Sequence, residues 1–280
     1  MGRNLITTEQ NTWCMGCGNF SIEHSLKEVF AEMPDEIENL NKVVLVAGIG
    51  CHGKIADYLN VNTVYSLHGR AIPFATGIKL ADNNLRVICC VGDGDAYAEG
   101  LEHLIFAAKR NLDITVIVHD NRVYGLTTGQ YTPTSPYHFK GRSTPVGSPE
   151  RPVNPMSLML VSGATYIARG YSGRKDHLAG LIRAGIEHKG FSYIEVLQIC
   201  ASYFNMTDVY EEKVKFHNNQ NLSSYSGAEE IIRLWNYNDG EEIPLGEFYQ
   251  VSKSVYEDEF PQFSDADTKK YSVKEFMEKI

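Results

Sequence analysis

Nowhere in its 280 residues does the sequence hold an uninterrupted apolar run of about eighteen residues, the length a membrane-spanning helix needs. It also lacks a basic excess: 26 Lys and Arg against 35 Asp and Glu give a formal net charge of −9. Gripping a phosphate backbone draws on a basic surface, so nucleic acid is not an expected partner. The first residues, MGRNLITTEQNTWC, have no apolar centre of the kind a secretory signal carries, which points to a cytoplasmic chain. Cysteine is sparse, with six residues, and thiols in that compartment stay reduced rather than pairing as disulfides. Buried free thiols or metal ligands are the remaining roles. Internal repeats and low-complexity tracts are absent as well.

What is present is alternation. From about residue 19 to residue 200, helical and strand-like patterns take turns. NFSIEHSLKEVFAEM sets Ile22, Leu26, Val29 and Phe30 at helical spacing, with Pro34 expected to end it. KVVLVAGIG, TVYSLHGR, RVICCVGDGD, ITVIVHDN, TYIARGY and FSYIEVLQIC are apolar strand candidates. AIPFATGIKLA, AEGLEHLIFAAKR and KDHLAGLIRAGIEHK are the intervening helix candidates. Such alternation predicts an α/β fold, a mostly parallel sheet with helices on both faces. Ligands of these sheets bind beyond the carboxyl ends of the strands. Those ends are where GIGC, LHGR, GDGD, DNRVYG and QIC fall. Residues 125–153, rich in Gly, Pro, Ser and Thr, form a loop too long to be an idle connection. The chain divides into residues 1–205, which carry the site motifs, and an acidic, tyrosine-rich extension over 206–280. That extension is expected to pack on the same domain or on a partner.

Gly92-Asp93-Gly94-Asp95 follows a strand and opens a helix. Glycines there let the backbone approach an anionic ligand, and a helix N-terminus favours negative charge. A carboxylate beside a phosphate makes sense when a cation such as Mg²⁺ bridges them. The next strand ends in Asn121, followed by Val123, Tyr124 and Gly125, so an amide oxygen and a backbone carbonyl are at hand to complete such a site. The plain alternative is a strand–turn–helix corner with a capping Asp. The pairing of GDG with an Asn-bearing turn one strand later resembles the thiamine-diphosphate motif. That resemblance makes Asp93, Asn121 and the Val123 carbonyl the Mg²⁺ ligands and lines the diphosphate with Gly94, Asp95, Gly125 and Leu126.

Cys14-Met15-Gly16-Cys17 is a CxxC, a pattern shared by zinc sites, redox dithiols and iron–sulfur sites. A zinc site calls for a second close pair of ligands, and none exists. Cys89 and Cys90 are adjacent in an apolar strand, point to opposite faces, and read as core residues. Cys51 and Cys200 both sit at strand ends on the side of GDGD. With Cys14 and Cys17 they would make up the four thiolates of a [4Fe–4S] cluster. Taken singly, each is equally a small buried hydrophobe.

The segments WCMGCGN, GIGCHGK, LHGRAIPFATGIKLA, GDGDAYAEG, NRVYGLTTGQYTPTS, NPMSLMLVSGATYIARG and HKGFSYIEVLQICASYFN run in order over about residues 10–205. Together they resemble the β subunit of the 2-oxoacid:ferredoxin oxidoreductases. The resemblance implies a thiamine-diphosphate-binding fold and a [4Fe–4S] cluster held by Cys14, Cys17, Cys51 and Cys200. Ile49, Gly50, Cys51 and His52 would form a loop approaching the cofactor, with His68 at the diphosphate. Lys54, Leu126 and Thr128 would lie near the substrate. Thr128 departs from a form of this loop that carries Lys, and Asp120 departs from relatives that carry a second Asn. The implied reaction is oxidative decarboxylation of a 2-oxoacid, 2-oxoglutarate or pyruvate, to an acyl-CoA and CO₂, with ferredoxin taking the electrons. The base that activates the cofactor would come from a partner α subunit, leaving Glu99 and Glu102 as surface or helix-packing residues. The rival expectations are a non-oxidative thiamine-diphosphate decarboxylase or carboligase, and a non-catalytic electron-transfer or zinc-binding subunit.

Overall fold

Every residue of Val43–Ala47 (β1) and Ile114–Asp120 (β4) is buried, as is all of Arg86–Gly92 (β3) beyond its first residue. Strands of this kind, dominated by Val, Ile and Leu, belong in the middle of a sheet covered on both faces. The computed structural model describes residues 4–33, 40–217 and 221–260 and bears this out. The remaining strands are Asn62–Tyr65 (β2), Val123–Tyr124 (β5), Gln130–Tyr131 (β6), Tyr166–Tyr171 (β7), Ser192–Leu197 (β8), Val214–Phe216 (β9) and Ile243–Gln250 (β10). Eight strands form one sheet in the order β2-β1-β3-β4-β8-β7-β10-β9, and β5 and β6 form a separate hairpin. The first six of the eight are parallel; β10 joins β7 antiparallel and carries β9 parallel to itself.

The helices are Asn19–Ala31 (α1), Ile55–Tyr58 (α2), Ala71–Ala81 (α3), Leu101–Arg110 (α4), Pro155–Ser162 (α5), Lys175–Glu187 (α6), Thr207–Lys213 (α7) and Tyr225–Ile232 (α8). One face of the sheet packs against α1 and α6, with Leu26, Leu45, Cys90, Ile117 and Ile182 in a common core. The other face packs against α3, α4, α5 and α8 around Val46, Cys89, Val116, Leu104 and Met159. Cys89 and Cys90 therefore serve opposite cores, both fully buried. α5 shows why a short helix forms where the pattern is weak: Asn154 caps it through Ser157 N–H at 3.0 Å, Pro155 starts it, and left-handed Gly163 stops it.

Three features differ from the sequence pattern. The helix after GDGD is broken: Asp95–Glu99 make a single π-helical turn, and α4 begins only after Gly100. π turns of this kind tend to accompany functional sites. The extension past residue 206, in which no strand was read, adds β10 to the sheet beside β7, and its last stretch, 261–280, lies outside the described residues. Pro34, expected to end the first helix, also lies outside the described residues, and α1 already ends at Ala31. The extension is anchored through a fully buried pair. Arg169 Nε donates to Glu195 Oε2 at 2.6 Å and its Nη2 to the Tyr237 hydroxyl at 2.7 Å, joining β7 and β8 to the segment before β10.

Candidate active site: two adjoining cavities

β1 is flanked by β2 on one side and β3 on the other, so the chain reverses direction across the sheet at β1 and β3. A crevice opens there beyond the strand ends, the place where ligands of doubly wound sheets bind. Its walls are the Ile49–His52 loop after β1, His68 after β2, Gly92–Asp95 after β3, and His119, Asn121 and Val123–Thr127 at the end of β4. A larger cleft at the opposite end of the strands holds Lys79 and Asp113 as an ion pair at 2.7 Å and faces away from all of these loops.

Asp95 organises the crevice. Its Oδ1 accepts from the Gly69 N–H and lies 3.0 Å from His68 Nδ1, while Oδ2 lies 3.3 Å from His52 Nε2. Burial opposes the charge, but the His52 hydrogen bond and charge, with help from Gly69 and His68, hold the carboxyl below its ordinary range. One side chain thus ties together the loops after β1, β2 and β3. The arrangement leaves no room for a side chain at Gly48, where a Cβ would sit 1.5 Å from Asp95 Oδ2. Gly69, at φ +68°, is required both by its left-handed backbone and by the Glu99 backbone lying 2.5 Å from a Cβ position.

Asp93 is buried beside a second carboxyl. Thr134 Oγ1 lies 3.0 Å from Asp93 Oδ2 and 2.8 Å from Asp120 Oδ1. A hydroxyl has one proton to donate, so Thr134 serves only one of the two carboxyls at a time. Burial pushes Asp93 above the usual carboxylate range, and burial reinforced by Asp93 and Glu195 pushes Asp120 well above it. Asp120 Oδ1 also accepts the Arg122 N–H at 3.0 Å, so the same oxygen meets two donors. Asn121 Oδ1 accepts from Val123 N–H at 3.1 Å, which fixes the turn that presents the Val123 backbone. Thr134 comes from the long 125–153 loop, which hydroxyl contacts hold in place: Ser135 Oγ donates to Arg122 O at 2.6 Å and Thr132 N–H to Ser135 Oγ at 2.8 Å.

The second cavity lies against the first. Cys14, Cys17, Cys51 and Cys200 line it, together with Gln198, Lys54 and Tyr203. Cys14 and Cys17 come from the turn before α1, Cys51 from the loop after β1 and Cys200 from the chain just past β8. Trp13 pins this side, its Nε1 donating to Cys51 O at 2.6 Å while its ring packs edge-on to Phe20 and Tyr58. At Gly125, just after β5, a Cβ would lie in ordinary contact with Cys51 Sγ at 3.5 Å and Cys200 Sγ at 3.6 Å, so this residue borders both thiols. Burial pushes Cys17 up to about 11, with smaller contributions from Cys51, Cys200 and Cys14. Among the described residues no three such side chains close on a single point that would hold one metal ion.

Most residues singled out in the sequence meet at these two cavities. Ile49, Gly50, His52, His68, Asp93, Gly94, Asp95, Val123 and Leu126 border the first, and Cys51, Asn121 and Gly125 border both. Lys54 borders the cysteine cavity rather than the crevice, its Nζ reaching Thr12 O at 3.4 Å. Thr128 stands at the hairpin tip at φ +77°, where Arg142 Nη1 donates to its hydroxyl at 2.7 Å. Two residues went unread in the sequence, Thr134 and His119, and two were read with a lesser part, Tyr124 as a turn residue and Glu99 as surface or helix packing. Tyr124 donates to Glu99 at 3.1 Å, and Glu99 lies 3.6 Å from His68, so this glutamate belongs to the crevice mouth rather than to plain surface. His119 Nδ1 lies 2.8 Å from Asn19 Oδ1, and burial holds the ring well below its ordinary titration range. The signal for His119 was available: it is a polar residue placed inside ITVIVHD, one position before the site turn.

Comparison with known proteins gives a consistent picture. The sequence profile described as "Thiamine pyrophosphate enzyme, C-terminal TPP binding domain" matches residues 48–196. A protein of Aeropyrum pernix named 2-oxoacid:ferredoxin oxidoreductase 1, subunit beta, is 40% identical over 266 residues, covering 89% of this chain and 81% of that protein. The Mycobacterium tuberculosis protein named 2-oxoglutarate oxidoreductase subunit KorB is 39% identical over 199 residues, 71% of this chain and 52% of that protein. A solved structure, 2-oxoglutarate:ferredoxin oxidoreductase from Magnetococcus marinus with 2-oxoglutarate, coenzyme A and succinyl-CoA bound, superposes with a TM-score of 0.84 at 33% identity. It covers 90% of this chain and 86% of that one.

Proposed function

This chain belongs to the β subunits of the 2-oxoacid:ferredoxin oxidoreductases, a thiamine-diphosphate enzyme family, and on that footing we propose how it works. It decarboxylates a 2-oxoacid oxidatively with coenzyme A and passes the electrons through a [4Fe–4S] cluster to ferredoxin. 2-Oxoglutarate is the favoured substrate, since the KorB relatives are named for it and the Magnetococcus marinus structure holds it. The observation that carries the proposal is adjacency: Cys51, Asn121 and Gly125 line both cavities, so one wall separates cofactor from cluster.

Thiamine diphosphate, when bound, supplies the electron sink that lets a 2-oxoacid lose CO₂. The residues around its cavity suit it. Among the described residues no Lys or Arg pairs with the buried Asp93, and a carboxylate in that position is completed by Mg²⁺. Asn121 and the Val123 carbonyl would be the further ligands. Asp95 holds His52 and His68 at the cavity wall. The four thiolates would each take one iron of the cluster. They surround a cavity without converging on a point, which would suit four separate iron atoms rather than a single zinc ion. Both cofactor sites fall within residues 1–205, and the extension from 206 packs on the same sheet through β10.

The carboxylates that line the cavity are engaged, Asp93 by Thr134 and Asp95 by two histidines, and Glu99 beside it is engaged by Tyr124. A base for activating the cofactor would therefore come from the α subunit, and the chain alone would be inactive. Purified anaerobically with its α subunit, the protein is expected to reduce ferredoxin when given 2-oxoglutarate and coenzyme A, and neither subunit alone should do so. Release of CO₂ by the chain alone, without coenzyme A or an electron acceptor, would instead mark a non-oxidative decarboxylase or carboligase.

A further inference from the structure

The thiols of the cysteine cavity differ in what surrounds them. Cys17 Sγ takes a side-chain donor, Gln198 Nε2 at 3.4 Å, and also the backbone N–H of Asn19. Gln198 is 2% exposed and lies at the end of β8, two residues before Cys200. Its amide is aimed by a second bond, Nε2 to Ile199 O at 2.6 Å, and the same carbonyl accepts the Gly18 N–H at 3.0 Å. The segment carrying Cys17 and the amide that reaches it therefore share one anchor. Gln198 Oε1 is buried with no partner among the described residues. A buried amide left half-satisfied is unfavourable, and a neutral thiol is a weak acceptor for its N–H. A cluster thiolate is a far stronger one.

We propose that Gln198 is a positioning residue that sets the reduction potential of the [4Fe–4S] cluster through its N–H···S bond to Cys17. The proposal rests on the cluster assignment above. Reduction adds an electron to the cluster and negative charge to its sulfurs, so a fixed N–H donor favours the reduced form and raises the potential. Within the cysteine cavity that adjoins the cofactor crevice, the bond makes the cluster a better first acceptor for electrons leaving the 2-oxoacid.

The test uses the anaerobically purified αβ complex, with EPR-monitored redox titration of wild type, Gln198→Leu and Gln198→Glu. Gln198→Leu is expected to shift the midpoint potential to a more negative value, and Gln198→Glu further still. Iron content and the KM for 2-oxoglutarate should stay unchanged. An unshifted potential in a Gln198→Leu protein with full iron overturns the proposal. Should the variants fail to assemble, wild-type complex labelled with ¹⁵N at the glutamine side chains decides the matter. A ¹⁵N hyperfine coupling to the reduced cluster supports the bond, and its absence refutes it. Wild-type protein without iron or a reduced-cluster signal would instead bring down the cluster assignment, a separate outcome.

Discussion

Gly48→Ala probes the Asp95 junction more sharply than any polar substitution would. The backbone of Gly48 is not left-handed, so an alanine brings no conformational penalty of its own. The difficulty is steric: the new methyl would lie 1.5 Å from Asp95 Oδ2 and 3.1 Å from His52 Nε2. The carboxylate must swing away and give up at least its bond to His52. Overpacking a filled core costs about 1–3 kcal/mol. Losing a hydrogen bond to a charged group adds about 1.5–3 kcal/mol. The expected destabilisation is therefore about 2.5–6 kcal/mol. A double-mutant cycle isolates the cause. In an Asp95→Ala background the obstruction is gone, so Gly48→Ala should cost about 1 kcal/mol or less. Chemical denaturation of the four proteins supplies the energies, and calorimetric titration with thiamine diphosphate and Mg²⁺ reports on the cavity. If Gly48→Ala is equally damaging with and without Asp95, the junction described here does not organise the crevice.

Other perturbations follow from the same geometry. Thr134→Val removes the hydroxyl between Asp93 and Asp120, and loss of such a supporting contact should weaken Mg²⁺-dependent cofactor binding about 10–100-fold, read by calorimetry. Glu195→Gln leaves Arg169 buried without its counter-charge and should cost about 3–5 kcal/mol in denaturation experiments. By contrast, breaking the exposed Arg174–Glu211 pair should cost about 1 kcal/mol or less. His119 is held neutral by burial, so its pKa in the folded protein lies below the unfolded value of about 6.5. Its contribution to stability is then complete above that pH and is lost as the pH falls below it. Denaturation midpoints at a series of pH values should decline on the acid side, and His119→Asn should make the decline shallower.

The strand ends were legible because parallel strands buried on both faces write themselves as unbroken apolar runs, and each run here stops at a glycine, a charged residue or a cysteine. That was enough to bring Asp93, Asn121, His52 and the four cysteines to one edge. The partners of these residues were not legible. Thr134 lies 41 positions from Asp93 in a loop whose course is fixed by Ser135 and Arg122 rather than by any periodic pattern. Asp95 looked like a diphosphate neighbour, and only the folded arrangement turns it toward His52 and His68. Arg169, in TYIARGY, would be expected to face water; it is buried because Glu195 and Tyr237 meet it from β8 and from the extension. β10 was missed for a related reason. IPLGEFYQ is interrupted by Gly246, and its register shifts between Glu247 and Tyr249, so the strand alternation is lost in sequence but kept in space.

The central claim is that one wall, bearing Cys51, Asn121 and Gly125, separates a thiamine-diphosphate site from a [4Fe–4S] site. Its most direct test is cofactor analysis of the anaerobically purified αβ complex: iron, sulfide and thiamine diphosphate per protomer, with EPR after dithionite reduction. About four irons from the cysteine cavity, one thiamine diphosphate, and a reduced-cluster signal that vanishes in Cys200→Ala are the predicted result. Thiamine diphosphate bound at full occupancy with an iron signal indifferent to Cys200 would contradict it.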